Sequence, residues 1–163
     1  MITRRNILRT ATALAGGVMA TACFGGGEAA ADNEVYAVTH TDAEWRKLLS
    51  PEAYEVLRQE STEAPGTSPL DAENRKGIYH CAGCDQPAYD SATKFHSGTG
   101  WPSFYQPIKG AVAEKTDNAF GMIRTEVHCS RCGGHHGHVF NDGPRPTGLR
   151  YCINGVSLKF AAA

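Results

Sequence analysis

The sequence predicts a mainly β domain led by two helices. Three observations carry that prediction. Eighteen glycines and eight prolines among 163 residues demand many turns. A helix-start signal at Thr41 precedes apolar residues at helical spacing. The C-terminal half shows apolar residues at every second position instead.

The elements follow in order. Thr41-Asp42-Ala43-Glu44 has the form of a capping box, in which Thr41 and Glu44 each satisfy a free backbone N–H at a helix start. Trp45, Leu48 and Leu49 then recur on one helical face, and Ser50-Pro51 closes this helix and opens a second. Ala53, Tyr54 and Leu57 form the apolar stripe of that second helix. Ser61 to Arg75 is rich in Pro, Gly, Ser and Thr without periodicity and reads as a loop laid over the surface. Ile123, Thr125 and Val127 alternate with Arg124, Glu126 and His128, the pattern of a half-buried strand, and Val156, Leu158 and Phe160 alternate likewise. Ile78-Tyr79, Val139-Phe140 and Tyr151-Cys152-Ile153 are shorter strand candidates. A duplicated C-x-x-C is the one internal repeat.

That repeat carries chemistry. Cys81-Ala82-Gly83-Cys84 and Cys129-Ser130-Arg131-Cys132 are two knuckles whose paired thiolates can converge on one ion, completing the four-sulfur tetrahedron that zinc takes in structural sites. Two disulfides, or a redox C-x-x-C, are the competing readings, and the latter wants a βαβ context that the pattern lacks. Cys152 is left over, in Arg150-Tyr151-Cys152-Ile153-Asn154, where positions 150, 152 and 154 share one side of a strand. A cation beside a thiol favours the nucleophilic thiolate. A single cysteine on an apolar strand also reads as inert core; the polar neighbours favour function.

The first thirty residues have a separate character. Thr3-Arg4-Arg5-Asn6-Ile7-Leu8-Arg9 resembles a twin-arginine export signature, and the weakly apolar run from Thr10 to Ala22 is too short to span a bilayer. The expected division is an export segment over residues 1–31 and a domain over 32–163. Ala29-Ala30-Ala31 offers a cleavage site; alternatively Ala20-Thr21-Ala22-Cys23 would make a lipidated Cys23, in which case the domain is membrane-anchored. Either outcome places the domain in the periplasm. A formal net charge of −1 gives no basic face for nucleic acid.

Three longer motifs point to a family. Ser97-Gly98-Thr99-Gly100-Trp101-Pro102-Ser103-Phe104, His135-His136-Gly137-His138-Val139-Phe140-Asn141-Asp142-Gly143-Pro144, and Pro146-Thr147-Gly148-Leu149-Arg150-Tyr151-Cys152-Ile153-Asn154 resemble motifs of the B-type methionine sulfoxide reductases. Both knuckles match that family in type and order, and the resemblance runs from about Trp45 to Phe160. It implies two antiparallel sheets meeting at an angle (β-tent-like), two N-terminal helices, and a structural zinc ion held by four cysteines distal to the active site. It also implies reduction of the R epimer of methionine sulfoxide, preferably within oxidised proteins or peptides, as a repair reaction against oxidative stress. By the same resemblance Cys152 is the nucleophile and passes through a sulfenic acid. His138 or His135 delivers the proton, Arg150 and Asn154 complete the catalytic set, and Trp101 and Phe140 contact the substrate.

Two positions depart from the family pattern. His136 stands where leucine or a similar residue is common. Thr99 stands where many members carry a second, resolving cysteine, so an external thioredoxin-like thiol is expected to reduce Cys152 directly. The alternatives to an enzyme of this kind are a non-enzymatic zinc-stabilised binding module and a zinc hydrolase using His135 and His138. The first gives a lone thiol no purpose, and the second lacks the i, i+4 histidine pair and a nearby glutamate base.

Overall fold

The computed structural model describes residues 35–163. The expected export segment, with Cys23, lies outside them. Helices α1 (Asp42–Leu48) and α2 (Pro51–Gln59) come first, and nine strands follow: β1 (Gly77–Cys81), β2 (Pro87–Asp90), β3 (Lys94–Phe95), β4 (Ser103–Phe104), β5 (Val112–Asp117), β6 (Arg124–Cys129), β7 (His135–Phe140), β8 (Arg150–Ile153) and β9 (Leu158–Ala162). The strands form two antiparallel sheets, one of order β2-β1-β9 and one of order β3-β4-β8-β7-β6-β5. The expected mainly β domain with two leading helices is what forms.

The helices start as their sequence dictates. Thr41 Oγ1 accepts from the Glu44 N–H at 3.3 Å while the Glu44 carboxylate accepts from the Thr41 N–H at 2.8 Å, so the capping box is complete. Ser50 caps α2 and Pro51 opens it. Trp45, Leu49, Ala53, Tyr54 and Leu57 then pack on Cys81, Cys129 and Cys132. A second core fills with Tyr79, Tyr89, Phe104, Val127, Tyr151, Ile153 and Leu158. Each large apolar side chain, fully buried, contributes roughly 1.5–3 kcal/mol.

Four expectations need correction. Leu48 is 60% exposed, because α1 ends there and only Trp45 and Leu49 reach the core. Ile123 is 85% exposed and precedes β6, whose second half is buried on both sides: Glu126 and His128 are as enclosed as Val127. That strand lies inside the six-stranded sheet, so its polar residues found partners in place of water. Val156 belongs to a 3₁₀ turn over Gly155–Ser157, so β9 begins only at Leu158. The loop over 61–75 has no regular structure, as expected, yet it does more than cover the surface, since Glu63 and Ser68 turn inward to the end of β8.

Candidate active site and metal centre

Sheet register builds the site. Cys152 on β8 pairs with Ser103 on β4 and with His138 on β7, and directly opposed residues of antiparallel strands point to the same side. The rung continues from His138 to Glu126 on β6 and from Glu126 to Lys115 on β5. Thiol, imidazole, carboxylate and ammonium thus stand in one row.

A bulge brings His135 to that same side. Three residues apart on a regular strand, His135 and His138 would face opposite ways. The register shifts so that His128 pairs with His135 and Val127 with Gly137, which leaves His136 as the extra residue. Both histidines therefore face Glu126 and each other, with ring centroids 5.4 Å apart in an edge-on arrangement. Gly137 is required here, since a methyl group would overlap the Cys152 carbonyl oxygen.

Cys152 lines a cleft of about 150 Å³ with Trp101, Gly137, His138, Phe140 and Asn154, and with Thr62 and Arg124, which belong to no motif of the sequence. His135 is 2% exposed and lies behind the cleft; its Nδ1–H donates to the Glu126 carboxylate at 2.8 Å. Burial pushes that carboxyl up, but the His135 and Lys115 hydrogen bonds outweigh it and hold Glu126 below the usual range.

His138 has its own anchor. Its Nε2 lies 2.8 Å from the Asp117 carboxylate, which also takes Arg124 Nη2 at 2.6 Å and the Ala119 N–H at 2.7 Å. Ala119, His138 and Arg124 together hold Asp117 at about 2, against burial. An ionised carboxylate can only accept, so His138 Nε2 carries the hydrogen and Nδ1 keeps its lone pair. Burial lowers the His138 pKa despite the Asp117 bond.

The thiol is tuned in opposing ways. Burial pushes Cys152 up, while the Arg150 charge and hydrogen bonds from Thr99 and Arg150 pull it down; burial wins. Arg150 favours the thiolate, as its charge in the sequence implies, but desolvation has no sequence signal and outweighs it. Arg150 is itself fixed, with Nε and Nη2 each 2.9 Å from the Asp142 carboxylate and the guanidinium 4.5 Å over the Phe140 ring.

Glu63 is the pin that the sequence does not disclose. Its carbonyl accepts from Trp101 Nε1 at 3.1 Å, its N–H donates to Asn154 Oδ1 at 3.0 Å, and its carboxylate takes the N–H groups of Gly155 and Val156. Asn154 Nδ2 in turn donates to the His136 carbonyl at 3.0 Å. One loop residue thus fixes the indole wall and the end of the nucleophile's strand. No periodicity marks Glu63; an acidic residue in a loop without a nearby basic partner is the only signal. Arg124 and Glu126 are legible in sequence only as polar residues of a strand-like segment, and Asp117 ends a strand, β5, that the sequence pattern does not predict.

The four knuckle cysteines meet elsewhere. All four Sγ atoms lie within 4.8 Å of one another, with Cys81 and Cys132 at 3.7 Å and Cys84 and Cys129 at 3.5 Å, and all are unbridged. A zinc ion with Zn–S bonds of ~2.3 Å in a tetrahedron needs sulfurs about 3.8 Å apart, so the set fits such an ion and speaks against two disulfides. Among themselves the thiols divide: Cys129 is pulled down as its thiolate accepts from Cys132 and Cys81, and Cys132 is pushed up to about 12 as the donor. A divalent cation removes that conflict.

Among the described residues one thiol stands apart from the four-sulfur cluster, in an aromatic-walled cleft, the arrangement of a thiol-dependent oxidoreductase. Residues 49–162 match the SelR domain family. The peptide methionine sulfoxide reductase MsrB of Agrobacterium fabrum is 56% identical over 124 residues, covering 76% of this chain and 92% of that protein. The MsrB of Leptospira interrogans is 57% identical over 126 residues, covering 77% and 96%, and that of Methanosarcina barkeri 56% over 125, covering 76% and 88%. This chain belongs to the MsrB family.

Proposed function

We propose that this chain reduces the R epimer of methionine sulfoxide, in polypeptides in preference to the free amino acid, through a sulfenic acid on Cys152. Methionine sulfoxide reduction is the activity for which its relatives are named. The observation that carries the reading is the direct pairing of Cys152 with His138 inside the Trp101 cleft.

A sulfoxide sulfur becomes electrophilic when its oxygen is protonated. The resting pair, a thiol kept protonated by burial and a neutral imidazole with a free Nδ1, holds the proton the reaction needs. Cys152 gives that proton to His138 as its sulfur attacks the substrate sulfur. The imidazolium, steadied by Asp117, passes it to the sulfoxide oxygen. The sulfur–oxygen bond of the substrate breaks, the oxygen ends on Cys152 as a sulfenic acid, and methionine leaves as the thioether. Methionine sulfur gains two electrons and Cys152 loses two, with no net proton. A thiol then condenses with the sulfenic acid, releasing water, and a second thiol frees Cys152 as the mixed disulfide opens.

The remaining groups support these steps. Trp101, fixed by Glu63, walls the substrate methyl, where sulfur–aromatic contact is favourable. Phe140 adds a second aromatic wall, with Arg150 over its ring. His135, enclosed behind His138, acts as a positioning residue rather than the donor. Zinc, held by Cys81, Cys84, Cys129 and Cys132, supplies structural cross-linking only. The domain works in the periplasm after twin-arginine export, free or anchored through Cys23, with a thioredoxin-like protein as reductant.

The test is a stereospecific assay with separated sulfoxide epimers and dithiothreitol. Turnover confined to the R epimer, abolished in Cys152→Ser, is expected; turnover of the S epimer alone overturns the proposal.

A further inference from the structure

Behind the cleft runs a chain of charges that no motif announces. Lys115 stands on β5, the edge strand of the six-stranded sheet, in register with Glu126 on β6. Its Nζ lies 3.0 Å from Glu126 Oε2 and 2.9 Å from Oε1 of Glu60, the residue that caps the end of α2. The other oxygen of Glu126 takes the His135 Nδ1–H at 2.8 Å. The chain runs inward from an exposed Glu60 through a half-buried Lys115 to an enclosed Glu126 and His135. A carboxylate so enclosed keeps its charge only beside a cation, and among the described residues Lys115 is the lysine or arginine paired with it. Charge and tautomer are then linked. An ionised Glu126 can only accept, so a neutral His135 carries its hydrogen on Nδ1 and keeps a lone pair on Nε2. That second nitrogen is buried without a partner among the described residues, and the ring meets His138 edge-on. A protonated Glu126 would donate to Nδ1 instead. The hydrogen would pass to Nε2 and reverse the imidazole dipole next to the ring that takes the Cys152 proton.

We propose that Lys115 is a positioning residue for the reaction: its ammonium keeps Glu126 ionised, Glu126 fixes His135 as the Nδ1–H tautomer, and His135 so held supports His138 as the acceptor of the Cys152 proton. Burial alone would push the Glu126 carboxyl up, and the His135 and Lys115 bonds bring it below the usual range. Burial likewise opposes the Lys115 charge, but Glu60 and Glu126 raise its pKa above the ordinary value. Each charge in the chain is therefore held by its neighbours. The proposal rests on His138 and Cys152 acting together on methionine sulfoxide, and the tautomer of His135 is read independently of turnover.

Wild type, Lys115→Met, Lys115→Arg and Glu126→Gln are compared as zinc-loaded proteins. Nitrogen–proton correlation spectra of the histidine rings, with His135→Gln for assignment, read the tautomer. His135 should show hydrogen on Nδ1 in wild type and Lys115→Arg, and on Nε2 in Lys115→Met. Glu126→Gln should also move it to Nε2, since the amide oxygen goes to the ammonium and its NH₂ to His135. The rate of methionine formation from N-acetyl-methionine-(R)-sulfoxide amide is then followed in single turnovers. Its saturating value should fall about tenfold in Lys115→Met, less than the roughly 10²-fold of a lost acid–base group, with the half-saturating concentration unchanged. Lys115→Arg, which keeps the charge, should recover most of that rate. An unchanged His135 tautomer or an unchanged rate in Lys115→Met overturns the inference, as does a loss that Lys115→Arg fails to recover or that lies in substrate affinity alone. Wild type that forms no methionine overturns the activity itself, and the spectra still judge the chain of charges.

Discussion

His138 and Cys152 face each other as a register pair across β7 and β8, and Asp117 holds the far side of the imidazole at 2.8 Å. The relationship fixes which ring nitrogen carries hydrogen. Position in the sheet sets the distance between thiol and imidazole; the carboxylate sets the tautomer. Catalysis by this pair depends on both.

Asp117→Asn tests the second. An amide can donate as well as accept, so it no longer compels His138 to keep its hydrogen on Nε2, and it leaves Arg124 without its counter-ion. The kcat should fall by about 10²-fold, the order of a lost acid–base contribution, with KM nearly unchanged. Steady-state kinetics on the free-sulfoxide amide check this; a kcat within about twofold of wild type removes His138 from the proton path.

Arg150→Met tests the tuning of the thiol. Burial raises the Cys152 pKa and the Arg150 charge opposes it, so removing the charge should move ionisation to still higher pH. The rate of alkylation by iodoacetamide, followed on the Cys152 peptide across pH, should shift upward, and turnover near neutrality should fall about tenfold. A midpoint moving downward contradicts the assigned balance.

The limits of sequence legibility have physical causes. The capping box, the C-x-x-C knuckles and the Ser50-Pro51 junction are local signals, and the structure has each where its residues stand. Fold class follows from the helix starts together with the turn residues and the alternation farther along the chain. Glu63 is not legible, because its work is done by contacts more than ninety residues away in sequence with Gly155 and Val156. Glu126 and His128 mimic a solvent face because alternation cannot distinguish water from a buried partner. The co-facing of His135 and His138 needs a bulge, and a one-residue register shift leaves no mark in composition.

His136, the bulged residue, departs from the family pattern and has a cost. It is fully enclosed, neither ring nitrogen has a hydrogen-bond partner among the described residues, and burial lowers its pKa to about 4 from 6.5. The unfolded chain therefore binds a proton there below 6.5 that the folded chain refuses until about 4. Stability contributed by the neutral form is present above pH 6.5 and is lost as pH falls toward 4, by about 3 kcal/mol at ~1.36 kcal/mol per unit. His136→Leu should abolish this pH dependence and add about 1–3 kcal/mol at neutrality. Urea denaturation of both proteins near neutrality and near pH ~4.5, inside the window over which His136 charges, measures the difference; parallel losses in both remove His136 as the cause.

Metal removal should unfold more than the knuckles. Cys81, Cys129 and Cys132 belong to the same core as Trp45, Tyr54 and Leu57, so α1 and α2 rest on the sulfur cluster. Cys84→Ser should lose the zinc and lower Tm by more than about 10 °C, the equivalent of several kcal/mol for a domain of this size. Cys152→Ser should keep a full complement of zinc. Metal analysis alongside thermal melts decides; loss of metal in Cys152→Ser would place that thiol in the metal shell and end its case as nucleophile.

Thr99 is the sharpest case of a residue whose chemistry is set by position. It neighbours Cys152 closely enough to favour the thiolate, and Ser97 holds its hydroxyl at 2.8 Å. A thiol at residue 99 would stand within reach of the sulfenic sulfur, where threonine oxygen cannot form a disulfide. Wild type oxidised by substrate should therefore carry a sulfenic adduct on Cys152, trapped by dimedone, and no internal disulfide. Thr99→Cys should convert that adduct to a disulfide between position 99 and Cys152 with loss of water, visible as a mass lower by two hydrogens than the reduced protein. Its reduction should then draw on a dithiol carrier more readily than on a monothiol, because the bridge must be opened and resolved. A persistent dimedone adduct in Thr99→Cys would mean that residue 99 cannot reach the sulfur after oxidation, and that the threonine contact belongs to the reduced state alone.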